Sequence, residues 1–95
     1  MDQILEITVR QPTEVEKEVL LIQPLWGCGK GRFDWLYDDK LICMLVAGKA
    51  TVSYGGKNIT IQAGDYVEFP KGLSCGWEIL EPVKKHYILE KIVDE

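Results

Sequence analysis

Three cysteines, Cys28, Cys43 and Cys75, and one histidine, His86, are the side chains of this chain best suited to nucleophilic or acid–base work. A cysteine attacks as its thiolate, so it needs a neighbouring cation or base to lower its pKa. His86 is the only imidazole that could serve, and its ordinary pKa lies close to neutrality. Cys75 and His86 are therefore the candidate catalytic pair. The alternative is a thiol used for packing and a hydrogen-bonded structural histidine. No CxxC occurs, which argues against a zinc knuckle or a redox pair and for reduced thiols in a cytoplasmic protein.

Trp35, Tyr37 and Trp77 could stack on a planar ligand or simply fill an interior. Asp34, Asp38 and Asp39 lack the ligand spacing of a calcium loop, and Asp38 and Asp39 read as a solvated turn. Asp65 follows Gly64 and is expected to bond the local backbone. Glu68 stands between apolar neighbours. It is either an inward acid with a raised pKa or ordinary surface, and strand alternation leaves both open.

These residues sit on elements that read as short strands. Ile4–Val9 is β-branched and ends at Pro12. The Thr13-x-x-Glu16 spacing gives a capping box, which predicts one short helix over Thr13–Leu20. Gly27, Gly29 and Gly31 read as a bend, because no strand–loop–helix unit makes them a phosphate loop. Phe33–Tyr37 is the next strand. Leu41–Ala47 is apolar at every position and must be covered on both faces; Gly48 is expected to break it. Its outer positions Ile42, Met44 and Val46 need a cover, either the N-terminal strand or a second subunit. Gly55-Gly56 between Lys49–Tyr54 and Lys57–Ile61 signals a hairpin. Asp65–Phe69, Leu73–Leu80 (ended by Pro82) and Lys84–Val93 complete the series. The turn spacing of roughly 8–12 residues predicts an all-β sandwich or barrel of eight or nine short strands.

The chain has 95 residues, which is one domain spanning 1–95. With 11 Lys+Arg against 15 Asp+Glu it carries a net charge of −4, which argues against nucleic acid as a partner. No apolar run is long enough to cross a membrane, and no signal peptide is expected.

Gly64-Asp-Tyr-Val-Glu-Phe-Pro70-Lys-Gly72 resembles the second cupin motif, and Leu41–Gly48 fits the end of the first. Phe33-Asp-Trp35-x-Tyr37-Asp, Phe69-Pro70-x-Gly72-Leu73-Ser74-Cys75-x-Trp77-Glu and Pro82-Val-x-Lys-His86-Tyr87 are more specific. Over Trp26–Tyr87 the chain is similar to the small single-domain cupins of the ureidoglycine aminohydrolase-like and ethanolamine-utilisation branch. The resemblance implies a cupin-type jelly-roll β-barrel, a homodimer and an interior pocket.

Metal-binding cupins use two histidines, a glutamate and a third histidine, types that offer lone pairs to a divalent ion. Mapped onto this chain, the glutamate position falls on Leu41 and the third histidine on Cys75. The first two fall on Asp34 and Leu36, or on Trp35 and Tyr37. No histidine stands at any of them, so no metal cofactor is expected. Relatives in this branch often keep the glutamate that Leu41 replaces. The expected ligand pocket is Trp35, Tyr37, Leu41, Cys43, Cys75 and Trp77, holding a small organic molecule. The alternative function is a small-molecule hydrolase or isomerase resembling ureidoglycine aminohydrolase, with a non-standard metal or a Cys/His site drawn from Asp34, Cys75 and His86. A third reading makes the dimer surface, with Met44, Val46 and Ile4–Val9, the functional feature.

Overall fold

The computed structural model describes residues 5–90. The wholly apolar run lies in the first half of a 15-residue strand, β4 (Lys40–Tyr54), which pairs with the 17-residue β7 (Ser74–Glu90). That pairing runs from Lys40 opposite Glu90 to Ser53 opposite Gly76, and the whole fold is arranged around it. β1 (Thr8–Arg10), α1 (Glu14–Leu21), β2 (Leu25–Cys28) and β3 (Gly31–Leu36) precede it in the chain. β5 (Lys57–Gln62) and β6 (Tyr66–Phe69) lie between its two strands.

The β4–β7 ribbon bends near its middle, where the register slips at Leu45/Ala47, Ala47/Lys49 and Lys49/Ala50. Bulges of this kind bend strands and sharpen twist. On one side of the bend the order is β1-β6-β4-β7-β2; on the other, β5 joins β4 and β3 joins β7. All pairings are antiparallel. The sheet thus rolls over on itself as an all-β jelly roll without closing into a complete hydrogen-bonded barrel.

The roll corrects the expected strand count. There are seven strands among the described residues, because Gly48 and Pro82 mark the bend and do not end their strands. Pro82 has no N–H to donate, and it falls where the ladder is already interrupted. Of the three glycines expected in a bend, Gly27 instead lies within β2, where Leu25–Cys28 pairs with Val83–His86 of β7. The N-terminal strand is shorter than expected and covers Thr8–Arg10; Ile4 lies outside the described residues. β7 is described to Glu90, and positions 91–93 of the expected last strand lie outside the described residues. Gly55 and Gly56 form the hairpin turn, with φ of +52° and +79°.

Inside the roll, Cys43, Leu45, Val52, Ile61, Val67 and Phe69 are fully buried. The outer face of β4 has its own small core, in which Leu20 of α1 packs on Met44 and Tyr66 with Ile42 and Ile88 beside them. Over Ile42 and Met44 the cover for the second face of this run is therefore the helix, not the N-terminal strand, while Val46 stays exposed. Met44 is buried beneath it and is not part of an open dimer surface.

The capping box is complete: Glu16 N–H donates to Thr13 Oγ1 at 3.1 Å, and Thr13 N–H donates to Glu16 Oε1 at 2.8 Å. Arg10 also donates to both Glu16 oxygens, at 2.8 and 2.6 Å, tying β1 to the helix start. Since α1 has only eight residues, it depends on this cap and on Leu20. Thr13→Ala is expected to cost about 1 kcal/mol, read as a lower midpoint in urea unfolding.

Candidate functional site: an aromatic cavity with a buried ammonium

A cavity of about 350 Å3 opens at one end of the roll. β3 and the residue after it supply Phe33, Trp35, Leu36 and Tyr37, and β4 supplies Leu41. β7 supplies Trp77, Lys85, Tyr87 and Leu89, and Trp26 comes from β2. Asp38 and Asp39, in the bend between β3 and β4, also line it.

Alternation places these side chains. In β3, Phe33 and Trp35 point to one side and stand opposite Trp77 and Cys75 of β7. Phe33 stacks on Trp77 with ring centroids 5.8 Å apart and an interplanar angle of 9°. Tyr37 stacks on Phe69 at 4.6 Å and 13°, fixing the wall beneath. Trp26 meets Trp77 at 6.4 Å, so the rings form a contiguous aromatic lining. Trp35 is half exposed, next to the exposed Leu36 and Leu89.

Of the six residues expected to form the pocket, Trp35, Tyr37, Leu41 and Trp77 line the cavity. Cys43 and Cys75 do not. Cys43 points inward as alternation requires but is sealed in the core with no exposed surface. Burial pushes its thiol up to about 11. Cys75 borders a separate open groove with Asp34, Ser53 and Gly76. Burial raises its pKa as well, opposite to what a nucleophile needs.

The structure also separates Cys75 from His86. Val83 and Tyr87 pack into the interior while Ile88 packs under α1, so His86 shares the outer face of β7. Its Nδ1 lies 2.8 Å from the Gln23 carbonyl oxygen. No Cys75–His86 pair forms. Asp34 is exposed. Asp65 accepts from Gln62 N–H at 2.9 Å, a local backbone bond.

Glu68 lies on the face away from the cavity. Burial works to raise its pKa, but the Tyr66 hydroxyl donating at 2.8 Å and the Lys40 ammonium at 3.1 Å outweigh it and hold the carboxyl low. Arg10 stands 3.9 Å away on the same side.

The residue that sequence reasoning missed is Lys85. It lies between inward Val83 and inward Tyr87, and the same alternation turns it into the roll with only 6% of its surface exposed. Its Nζ sits 4.6 Å from the Trp77 ring, 4.7 Å from Trp26 and 5.6 Å from Phe69. Burial lowers its pKa, and Cys43, Cys75 and Cys28 nearby oppose that shift. The aromatic faces also favour the charged form. Among the described residues, Lys85 is in no ion pair and its side chain makes no hydrogen bond. The parity of Val83, Lys85 and Tyr87 was the available signal. It was hidden because Lys84-Lys85-His86 looks like a solvated charged edge.

Comparison with protein families decides the kinship of this roll: residues 16–87 match the EutQ-like cupin domain. The chain belongs to that family. This cupin domain is also similar to the crystal structure of a DUF861 family protein from Thermotoga maritima. That likeness has a TM-score of 0.85 and 42% identity, covering 90% of this chain and 100% of the other. A protein from Salmonella typhimurium named for ethanolamine utilization, protein Q, matches at a TM-score of 0.63 and 25% identity, over 68% of this chain and 53% of its own. The EutQ protein of Clostridium difficile matches at 0.63 and 17% identity, over 68% and 52%, a likeness of fold alone. The cupin domain thus aligns with about half of each of these two longer chains. No match is found among curated proteins.

A metal centre is what the cupin fold brings to mind, and the residues here do not fit one. Leu41 has no lone pair to offer, and Lys85 places an ammonium in the wall of the cavity. Among the described residues no three His, Cys, Asp or Glu side chains gather as ligands. No helix among them is long and apolar enough to cross a membrane.

Proposed function

We propose that this cupin domain binds a small organic molecule in its aromatic cavity, held by ring contacts and not by a metal ion. The observation that carries this reading is the cavity of about 350 Å3 walled by Trp26, Phe33, Trp35, Tyr37 and Trp77. That size lies within the range of small-molecule pockets, which are mostly apolar with a few placed polar groups. Leu41 stands where the family motif has a metal ligand, and it adds apolar wall in place of a donor atom.

Ligand-observed NMR with planar aromatic probes tests the reading. Saturable binding to the wild type and its loss in Leu41→Trp, which fills the cavity, is the expected result. If no planar probe binds saturably and none moves the melting temperature, the cavity is packing space and the reading fails. Elemental analysis tests the metal-free clause. The purified protein is expected to hold less than about a tenth of an equivalent of divalent metal and to regain none on soaking. One firmly held equivalent would overturn that clause.

A further inference from the structure

The Lys85 ammonium lines this cavity without an acceptor, and the buried Trp77 indole beside it also lacks one. Lys85 Nζ has no carboxylate partner among the described residues. Trp77 Nε1 is buried and has no hydrogen-bond partner. The indole N–H faces Tyr37 and Cys75 and works against the burial that raises both pKa values, yet it makes no hydrogen bond with either. Buried donors are nearly always satisfied in folded proteins, and an unmatched buried ammonium is the costlier case. Both residues line the same cavity, and Lys85 Nζ stands 4.6 Å from the Trp77 ring.

We propose that the cavity recognises a carboxylate carried on a planar apolar body, its oxygens accepting from Lys85 Nζ and its body lying among the rings. This rests on the binding function proposed above and names the ligand class for it. A carboxylate supplies what the ammonium lacks, negative charge together with lone pairs. A neutral hydroxyl or amide would offer lone pairs but leave the charge of the ammonium unpaired. The flat ring faces around the pair, Phe33 on Trp77 and Trp26 beside it, suit an aromatic or conjugated body. Asp38 and Asp39 also line the cavity, so a second anionic group on the ligand would meet like charge there. The class is therefore a monocarboxylate.

The test compares benzoate with its neutral counterpart benzamide in proton–nitrogen NMR of the full chain, with the Trp77 indole signal assigned through Trp77→Phe. Benzoate is expected to bind at least tenfold tighter than benzamide and to shift the Trp77 indole signal, whose ring borders the site. In Lys85→Met, which keeps the side-chain length and removes the charge, that preference is expected to vanish. Equal binding of the two probes to the wild type, or a benzoate preference that survives in Lys85→Met, would overturn the carboxylate assignment and leave the binding function standing. Saturable binding of neither probe would overturn both. The wild-type ratio and the indole shift decide the matter even if Lys85→Met does not fold.

Discussion

Gly48→Ala is expected to remove most of the folding stability of this domain, at a cost of about 3–5 kcal/mol. Two effects add. The residue sits at φ +92°, a conformation that side-chain-bearing residues rarely adopt. A Cβ there would also come within 2.6 Å of the Pro82 carbonyl carbon and 2.7 Å of Val83 Cα, and closer still to the Pro82 oxygen. These are backbone atoms at the bend of the β4–β7 ribbon, so no side-chain rotation can make room. The same bend is stitched to the next turn, where Ala63 N–H donates to the Gly48 carbonyl at 3.0 Å and Gly64 N–H to that of Leu45 at 2.8 Å. A shift at Gly48 would therefore disturb three segments. A chain of this size has only about 5–15 kcal/mol in total. The check is urea unfolding beside Gly29→Ala, whose Cβ would meet nothing within 4 Å and which is expected to change stability by less than about 1 kcal/mol. If the two variants unfold at the same urea concentration, the close approach at the bend is wrong.

Lys85→Met is expected to act in the opposite direction and stabilise the ligand-free protein by about 1–3 kcal/mol. Methionine fills similar space, and the cost of holding an unpaired ammonium among rings disappears. The gain is smaller than the full burial cost because cation–π contact with Trp26, Trp77 and Phe69 already offsets part of it.

The pH dependence of this difference has a definite sign. Burial lowers the folded-state pKa of Lys85 below its unfolded value of about 10.4. Between those two values the unfolded chain holds a proton that the folded one has released, so wild-type stability from this group rises with pH. The advantage of Lys85→Met is thus largest below the folded pKa and shrinks toward pH ~10.4. The neighbouring titratable groups Cys28, Cys43, Cys75, Tyr37, Tyr87, Asp38 and Asp39 are present in both proteins, so their own titrations largely cancel in the difference. Cys43 works the other way in each, since its thiol, pushed up to about 11, stays protonated when the unfolded thiol has ionised. Thermal melts of both proteins from neutral to alkaline pH measure the gap. A gap that widens with rising pH would show that Lys85 is not held in a depressed state.

What the sequence determined by itself was local or periodic. Thr13 and Glu16 lie three apart, and that alone sets the capping box that begins α1. Gly55-Gly56 sets the hairpin, because both residues take positive φ at no steric cost. The unbroken apolar run of Leu41–Ala47 called for two covered faces; the rolled core covers one, and Leu20 covers Met44 and Ile42 on the other, leaving Val46 exposed. The motif around Gly64–Gly72 carried the family likeness. What the tertiary structure decided was everything set by two segments meeting across the fold. Gly48 and Pro82 each look like a strand terminator alone; facing each other across a bulge they become one bend, since the proline needs no ladder partner and the glycine leaves room for its carbonyl. Residue type marked His86 for chemistry, but side-chain alternation turned it outward and turned Lys85 in among the rings. Local spacing fixes which backbone shape a segment prefers, whereas the environment of a side chain depends on what distant segments pack around it. For that reason Trp35, Tyr37 and Trp77 could be named in advance, whereas Trp26, Phe33 and the lone ammonium beside them could not.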